Sequence, residues 1–344
     1  MSAAARSSVD GLDLAALIPF FHDHVPGFRG ELSASLIQGG RSNLTYRVTD
    51  GQAIWVLRRP PLGGLTPSAH DMGREYKVIS ALAGSGVPVP RAVACGDASV
   101  MGVPFSLVEY VGGRVIRTPE QLHTLTDQQI TDCAYALVDV LAGLHAVDPV
   151  AIGLTGFGRP EGYLSRQIER WYDQWTRVRT RDLADIDTLH ARLAAACPPE
   201  AGASIVHGDF RIDNAILAPH DPSHVRALVD WEMATLGDPL ADLGLHLVYT
   251  DPAFAPVLAG AAASTSERLP TRAELAGRYA KASGRDLDRL DFYLALGYFK
   301  IAVIAEGIHA RHLQGLTRGA GFDAVGEAPG PLAAAGLRAL AHGA

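Results

Sequence analysis

The chain has 344 residues, of which 48% are hydrophobic and 19% are charged, and its formal net charge is −7. A chain of this length and apolar content can bury a sizeable core, which excludes a mostly disordered protein. The acidic balance argues against a nucleic-acid-binding surface, because such surfaces carry a basic excess or a basic stripe. We therefore expect a globular protein whose partner is not a nucleic acid.

The N-terminal residues lack a basic segment followed by a sustained apolar run, and every long apolar stretch is interrupted by charge. The most hydrophobic C-terminal segment, for example, carries Lys300 and Glu306. These patterns predict neither a secretory signal nor a membrane span, so we expect a cytoplasmic protein that does not act at a membrane. Three widely spaced cysteines predict free thiols rather than a disulfide framework or a zinc site.

The first third of the sequence predicts a small β-rich lobe. Apolar residues at helical spacing predict helices over 13–24 and 70–83. Extended segments are predicted at 31–37, 44–48, 53–58, 87–96 and 104–111. Asp50-Gly51 lies between the second and third of these segments and is a strong hairpin signal. Gly112-Gly113 then ends the last strand.

After Gly113 the sequence becomes mainly helical. Apolar periodicity predicts helices over 127–147, 161–178, 183–196 and 287–314, and short apolar strands at 203–207 and 227–231. The pattern predicts an α+β protein with two lobes. The N-lobe, a small antiparallel β-sheet, is expected over 1–111, and the larger helical C-lobe over 112–344.

The residues that carry chemistry lie in His-Gly-Asp-Phe-Arg-Ile-Asp-Asn at 207–214. Phosphoryl transfer requires a carboxylate for the acceptor hydroxyl, oxygen ligands for Mg²⁺ and a cation near the transferred group. Asp209, Asn214 and Arg211, with Asp230 at the end of the predicted strand, are the residue types for these tasks. The D-x4-N spacing from Asp209 to Asn214 is that of kinase catalytic loops.

The strings HGDFRIDN and LVDWEMATLGDPLADLG resemble the aminoglycoside phosphotransferase and choline kinase superfamily. The nearest subgroup is the bacterial phosphotransferases related to kinase domains fused to acyl-CoA dehydrogenases. FGRPEGYLSRQIERW and VLRRPP are similar to that subgroup as well. The resemblance covers nearly the whole chain and implies a protein-kinase-like two-lobed fold that uses ATP and Mg²⁺.

The resemblance also implies roles for the motif residues. Asp209 would be the catalytic base, and Arg211 would reach the γ-phosphate. Asn214 and Asp230 would hold Mg²⁺, and Asp242 would anchor the catalytic loop from below. The string after the predicted metal strand is Asp-Trp-Glu rather than Asp-Phe-Gly, so an activation switch of the protein-kinase kind is not supported.

A nucleotide site in the N-lobe is implied in the same way. Its residues are Gly39, Gly40, Ser42 and Asn43 in the turn between the first two strands, Arg58 on the third strand, Glu75 on the next helix, and Glu109, Tyr110 and Val111 at the hinge. The turn would cover the phosphates, and the hinge backbone would bond adenine. Arg58 takes the place of the family's lysine, and alternation places only one of Arg58 and Arg59 on the inner face.

Four other polar residues have ordinary structural interpretations. His207 is expected to brace the loop rather than act as a base, and Asp213 is expected to be solvated or to cap a helix. His145, near a helix end, is expected to bond the last carbonyls. Glu232 could be a metal ligand, a substrate contact or a loop-bracing carboxylate.

The sequence therefore predicts an ATP-dependent phosphotransferase that moves the γ-phosphoryl group directly to a hydroxyl of a small molecule. A metabolite such as a hydroxyacyl compound is favoured over an aminoglycoside, because no dense acidic cluster is present for a polycation. Two alternatives stay open: a nucleotide-binding pseudokinase, and a metal-dependent hydrolase that uses His207, Asp209 and Asp230. The oligomeric state is not predicted.

Overall fold

The structure, a computed structural model, describes residues 8–9, 11–37, 43–62, 71–258, 260–317 and 321–342. The chain divides into a first unit of residues 1–112 and 227–234 and a second unit of residues 113–226 and 235–344. The division predicted from the sequence includes 227–234 in the C-lobe, whereas in the structure this segment groups with the first unit. The segment belongs to the first unit because Leu228 N–H donates to Pro88 O (2.8 Å) and Arg74 donates to Ala234 O (3.1 Å).

Within the described residues, the first unit contains seven strands and three helices. The strands are β1 (Ser8–Val9), β2 (Leu12–Asp13), β3 (Ser33–Leu36), β4 (Leu44–Thr49), β5 (Ile54–Arg59), β6 (Ala92–Gly96) and β7 (Phe105–Glu109). The helices are α1 (Leu14–His24), α2 (Met72–Leu82) and α3 (Ala98–Met101). Strands β3 to β7 form one antiparallel sheet, as predicted, and their order in it is β3-β4-β5-β7-β6. Strand β1 pairs with β2.

The predicted Asp50-Gly51 hairpin joins β4 to β5, with Thr49 opposite Ile54. Asp50 Oδ1 accepts the backbone N–H groups of Gln52 (2.9 Å) and Ala53 (2.8 Å), which closes the turn. Gly51 has a φ of 90°, in the left-handed region that glycine enters without steric cost. Local turn chemistry therefore fixes the register of the two central strands.

One face of the sheet packs on α1 through aromatic side chains. Phe20 contacts Phe105 at a centroid distance of 5.0 Å, and Phe21 contacts Trp55 at 5.4 Å. Along β5 the buried positions alternate with partly exposed ones, so Arg58 lies on the face opposite Trp55. The core thus occupies one side of the sheet and leaves Arg58 for the other.

The second unit is mainly helical. Its helices are α4 (Pro119–His123), α5 (Asp127–Ala146), α6 (Tyr163–Val178), α7 (Ala184–Ala196), α8 (Pro239–Val248), α9 (Arg272–Ser283), α10 (Leu290–Leu313) and α11 (Pro329–His342). The remaining strands are β8 (Ser204–Val206), β9 (Ala215–Leu217), β10 (Val225–Leu228) and β11 (Thr235–Gly237), and β8 pairs antiparallel with β11. The chain passes into the first unit within β10.

Helix α10 packs against α6, α8 and α11 and lies at the centre of the second unit. Its backbone touches that of α8 at Gly244, where an added Cβ would lie 2.5 Å from the carbonyl oxygen of Tyr293. By length and composition α10 could cross a membrane, but 67% of its most apolar window is buried inside the protein. Its Glu306 is fully buried and accepts hydrogen bonds from Thr180 N (2.8 Å) and Arg181 (3.0 Å), as in a core helix.

Candidate active site

A buried carboxylate holds the backbone of the predicted catalytic loop, which begins where β8 ends. Asp242, in the first turn of α8, accepts the N–H groups of His207 (2.6 Å) and Gly208 (2.9 Å). Burial raises the pKa of Asp242, but hydrogen bonds from His145 and the loop backbone outweigh it and lower the pKa overall. The expectation for His145 was wrong, because its ring is buried between Asp242 (3.4 Å) and the Tyr279 hydroxyl (2.7 Å).

The Asp209 side chain is one-quarter exposed and is contacted on both carboxylate oxygens. The Tyr249 hydroxyl donates to Oδ1 at 2.5 Å, and Arg211 Nε lies 3.1 Å from the same oxygen. Asn214 Nδ2 donates to Oδ2 at 3.1 Å and to the Asp209 carbonyl at 2.9 Å. The D-x4-N spacing therefore brings Asp209 and Asn214 into direct contact.

These contacts set the charge state of Asp209. Burial alone would raise its pKa, but Arg211, the Tyr249 hydrogen bond, His207 and Lys300 together lower the pKa below the ordinary value. The carboxylate is therefore ionised at neutral pH and can accept a hydrogen bond from a hydroxyl group. His207 itself is buried, and its Nδ1 accepts the Asp209 N–H at 3.3 Å.

Arg211 forms ion pairs with two carboxylates of its own loop. Its Nε lies 3.1 Å from Asp209 Oδ1, and its Nη2 lies 3.2 Å from Asp213 Oδ2. The guanidinium also lies over the Tyr249 ring, 5.2 Å from the centroid. The expectation that Asp213 is solvated or a cap was wrong, because its side chain is largely buried and burial raises its pKa against the opposing effect of Arg211.

Two residues at this site were missed by sequence reasoning. Tyr249 follows the end of α8, and Lys300 donates from α10 to the Gly208 carbonyl at 2.8 Å. Neither residue lies in a motif, and both reach the loop only through tertiary packing. The available sequence signal was a lysine within an apolar stretch of α10.

The first unit contains an ion-pair cluster centred on Arg58. Its Nη1 pairs with Glu75 of α2, and its Nη2 lies 2.8 Å from Asp230 Oδ1. Burial lowers the pKa of Arg58, but the two carboxylates outweigh it and raise the pKa, so the guanidinium is always charged. The predicted pairing of Arg58 with Glu75 is present. Arg59 instead donates to the Pro60 carbonyl (3.0 Å) on the other face.

Asp230 adopts an unusual backbone conformation. Its φ is 66° and its ψ is 57°, and among the described residues it is the only non-glycine with a positive φ. The predicted strand over 227–231 is therefore corrected, since β10 ends at Leu228 and Asp230 turns the chain into a 3-10 turn. Aspartate tolerates this region better than most residues, and such conformations concentrate at functional sites.

Asn43 is buried in the first unit, where its Nδ2 donates to Glu232 Oε2 at 2.9 Å. This contact favours the loop-bracing interpretation of Glu232, since it joins the start of β4 to the segment that follows Asp230. Gly39, Gly40 and Ser42, which the resemblance places over the phosphates, lie outside the described residues.

At the predicted hinge, two of the three backbone N–H groups have partners within the first unit. Glu109 N–H donates to Arg91 O (2.9 Å), and Tyr110 N–H donates to Ile54 O (3.1 Å). The Glu109 carboxylate forms an exposed ion pair with Arg91 at 2.7 Å. Among the described residues, Val111 N–H is the hinge donor with no such bond.

Asn214 and Asp230 each keep one oxygen that the contacts above do not use, Oδ1 and Oδ2 respectively. Neutral and anionic oxygen donors are the ligands that Mg²⁺ takes when it also binds substrate phosphates, so both residue types fit that ion. Within the described ranges, no group of three or more His, Cys, Asp or Glu side chains could hold a metal ion by itself.

The antiparallel sheet followed by a helical unit is the kinase-like fold of the aminoglycoside phosphotransferases. A solved structure from Ralstonia eutropha JMP134, which its name assigns provisionally to these enzymes, is 33% identical, with a TM-score of 0.82 over 96% of this chain and 98% of that one. The family model described as the phosphotransferase enzyme family matches residues 33–293. The chain therefore belongs to this family.

Two further solved structures share the fold at lower identity. The ternary complex of a thermostable mutant of aminoglycoside phosphotransferase APH(4)-Ia with AMP-PNP and hygromycin B is 18% identical, with a TM-score of 0.62 over 95% of this chain and 97% of that one. Spectinomycin phosphotransferase APH(9)-Ia, solved with ADP and spectinomycin, is 13% identical, with a TM-score of 0.61 over 95% and 99%.

Curated relatives are much longer proteins. Acyl-CoA dehydrogenase family member 11 from Homo sapiens is 34% identical over 312 residues, which is 88% of this chain and 40% of the relative. Family member 10 from Mus musculus is 36% identical over 281 residues, 80% of this chain and 26% of the relative. The chain thus spans less than half of these relatives' length.

Proposed function

We propose that the protein is a small-molecule kinase that uses Mg²⁺-ATP and in which Asp209 is the catalytic base. The acceptor hydroxyl donates to the Asp209 carboxylate. The hydroxyl oxygen forms a bond to the γ-phosphorus while the bond between the γ-phosphorus and the β,γ-bridging oxygen breaks. The hydroxyl proton passes to Asp209. The observation that carries this proposal is the ionised Asp209 carboxylate, held by Asn214 (3.1 Å) and Tyr249 (2.5 Å).

The residues of the nucleotide site are proposed one by one. Arg58 would contact the phosphates, and its fork can serve a phosphate oxygen while it keeps one carboxylate partner. Val111 is proposed as the hinge donor to adenine, because the N–H groups of Glu109 and Tyr110 are already bonded. Asn214 and Asp230 are proposed as Mg²⁺ ligands; the ion, when bound, neutralises phosphate charge. Arg211 is proposed to steady the transferred phosphoryl group.

The acceptor is proposed to be a hydroxylated metabolite, such as a hydroxyacyl compound, rather than an aminoglycoside. The cationic neighbours that lower the pKa of Asp209 are Arg211 and Lys300, which would repel a polycation. The two nearby acids are engaged, since Asp213 pairs with Arg211 and Asp242 holds the loop backbone. The names of the longer relatives, which are acyl-CoA dehydrogenases, point in the same direction.

The alternatives differ in what they require. A pseudokinase would bind nucleotide without turnover, yet this chain keeps Asp209, Asn214 and Asp230. A metal-dependent hydrolase would require His207 as a ligand, but its Nδ1 accepts a backbone N–H, and no sufficient ligand group occurs in the described part of the chain.

The test is ADP release with Mg²⁺-ATP across hydroxyacyl-CoA esters, amino alcohols and aminoglycosides. Asp209→Asn keeps the size and shape of the side chain but removes the base, so it should bind Mg²⁺-ADP and lose turnover. The matched control is Asp221→Asn, an exposed aspartate on the turn after β9, which should retain turnover. Full turnover by Asp209→Asn would refute the assignment of the base, whereas nucleotide binding without turnover of any acceptor would favour the pseudokinase.

A further inference from the structure

Lys300 is a charged residue in the middle of α10, where its sequence neighbours Phe299 and Ile301 are both buried. Burial lowers the pKa of its ammonium group, and Asp209 and Asp242 oppose that effect. Removing an ammonium group from water is unfavourable unless hydrogen bonds and opposite charges compensate. The contacts of Lys300 therefore indicate which interactions compensate for the burial of its ammonium group.

To the described residues the ammonium group makes one hydrogen bond, and its acceptor lies in the catalytic loop. Lys300 Nζ donates to the Gly208 carbonyl at 2.8 Å. The Trp171 ring of α6 covers the group, 5.6 Å from Nζ to the ring centroid. Lys300 and Trp171 also line a small cavity with Gln167, in which water can bond the remaining N–H groups. No other hydrogen-bond acceptor contacts Nζ among the described residues.

Gly208 is consequently held from two sides. Its N–H donates to Asp242 Oδ1 at 2.9 Å, and its carbonyl accepts from Lys300. Its φ is 80°, so the loop passes through a left-handed conformation directly before Asp209. The Gly208 carbonyl belongs to the peptide group whose nitrogen is that of Asp209. A contact that fixes this carbonyl therefore fixes the peptide plane from which the Asp209 side chain extends.

We propose that Lys300 is a positioning residue of the phosphotransfer site, which orients Asp209 by holding the Gly208 carbonyl opposite Asp242. The inference rests on the proposed function, since it presumes that Asp209 is the base. Asp242 holds the N–H group of Gly208 and Lys300 holds its carbonyl. Of the two, only Asp242 lies in a sequence motif. A core role alone would be met at lower desolvation cost by methionine, which has a similar length.

The kinetic test uses Lys300→Met, Lys300→Arg and the control Lys281→Met, an exposed lysine near the end of α9. Lys300→Met should lower kcat by about 10- to 100-fold, the loss expected when a catalytic group shifts by about 1 Å. KM for ATP and for the acceptor should stay unchanged, and Lys300→Arg should recover part of kcat. If Lys300→Met raised only the acceptor KM, Lys300 would bind substrate and the proposal would be wrong.

A second measurement does not need turnover, so it separates this inference from the proposed function. Amide hydrogen exchange of the segment 205–214 should be faster in Lys300→Met than in the wild-type protein and in Lys281→Met, with melting temperatures compared in parallel. Unchanged exchange in this segment would overturn the positioning role, even for a protein that proves to be a pseudokinase. Faster exchange together with nucleotide binding but no turnover by the wild-type protein would sustain the role of Lys300 in holding the loop and would favour the pseudokinase.

Discussion

For the ion-pair cluster around Arg58, we predict that substitutions change the free energy of unfolding and the affinity for nucleotide independently. Glu75 is 2% exposed and has Arg58 as its one side-chain partner among the described residues, whereas Asp230 is 34% exposed. Arg58→Met would leave Glu75 buried without a partner, which costs about 3–5 kcal/mol. Asp230 would lose an ion pair but stay in contact with water, so this loss should add no more than about 1 kcal/mol to the destabilisation.

The double variant Arg58→Met with Glu75→Met should recover most of the lost stability, because well-packed apolar residues often replace a buried ion pair without cost. Both variants should nevertheless bind Mg²⁺-ADP poorly, since the proposed phosphate contact is absent in each. Urea unfolding and calorimetric titration with Mg²⁺-ADP measure the two effects. The control is Arg91→Met, which removes an exposed Arg–Glu pair with Glu109 and should change stability by less than about 1 kcal/mol.

The single variant should also respond to pH. Burial raises the pKa of Glu75, and Arg58 opposes that rise, so removing Arg58 raises the pKa further. The folded state then holds a proton that the unfolded state releases, and the stability deficit of Arg58→Met should shrink as the pH falls from about 8 to about 5. A double variant as unstable as the single one would refute the reasoning about Glu75. Normal Mg²⁺-ADP affinity in the double variant would refute the phosphate contact.

Two further predictions concern the second unit. Tyr249→Phe removes a hydrogen bond that lowers the pKa of Asp209. If this bond contributes about 1.5 kcal/mol, the acid limb of the kcat/KM profile should move up by about one pH unit. An acid limb at the same pH as in the wild-type protein would contradict this. Gly244→Ala should destabilise by about 1–3 kcal/mol, because its Cβ would lie 2.5 Å from Tyr293 O. Gly277→Ala, in open space on α9, is the control in urea unfolding, and equal stability of the two would contradict the close contact.

Local patterns were sufficient to predict most of the elements. The apolar stripe of α5 and its Thr126 capping box are local features, and so is the Asp50-Gly51 turn between β4 and β5. The alternation of side chains along β5 predicts that Arg58 and Arg59 lie on different faces of the sheet, and they do so in the structure. The D-x4-N spacing identified Asp209 and Asn214 as candidate site residues, and the short 3-10 turn Ile212–Asn214 brings their side chains into contact.

What the sequence did not predict depends on contacts between distant segments. The sequence places His145 near the end of a helix, yet its ring forms a hydrogen bond with Asp242, which is 97 positions away. Lys300 meets Gly208 across 92 positions. The left-handed conformation of Asp230 is not specified by local propensity, because the surrounding residues Val229 and Trp231 favour a continued strand. In each case tertiary packing overrides the local pattern.

The assignment of residues 227–234 to the first unit has a consequence for synthesis of the chain. Arg58 and Glu75 can pair once the sheet and α2 have formed, but Asp230 is made 118 residues after Gly112, the last residue of the unit's main segment. At about 5–20 residues per second, that delay is roughly 6–24 s. During this interval the nascent sheet holds Arg58 with a single carboxylate. The first unit therefore reaches its final charge balance only after residues 113–226, about half of the second unit, have been synthesised.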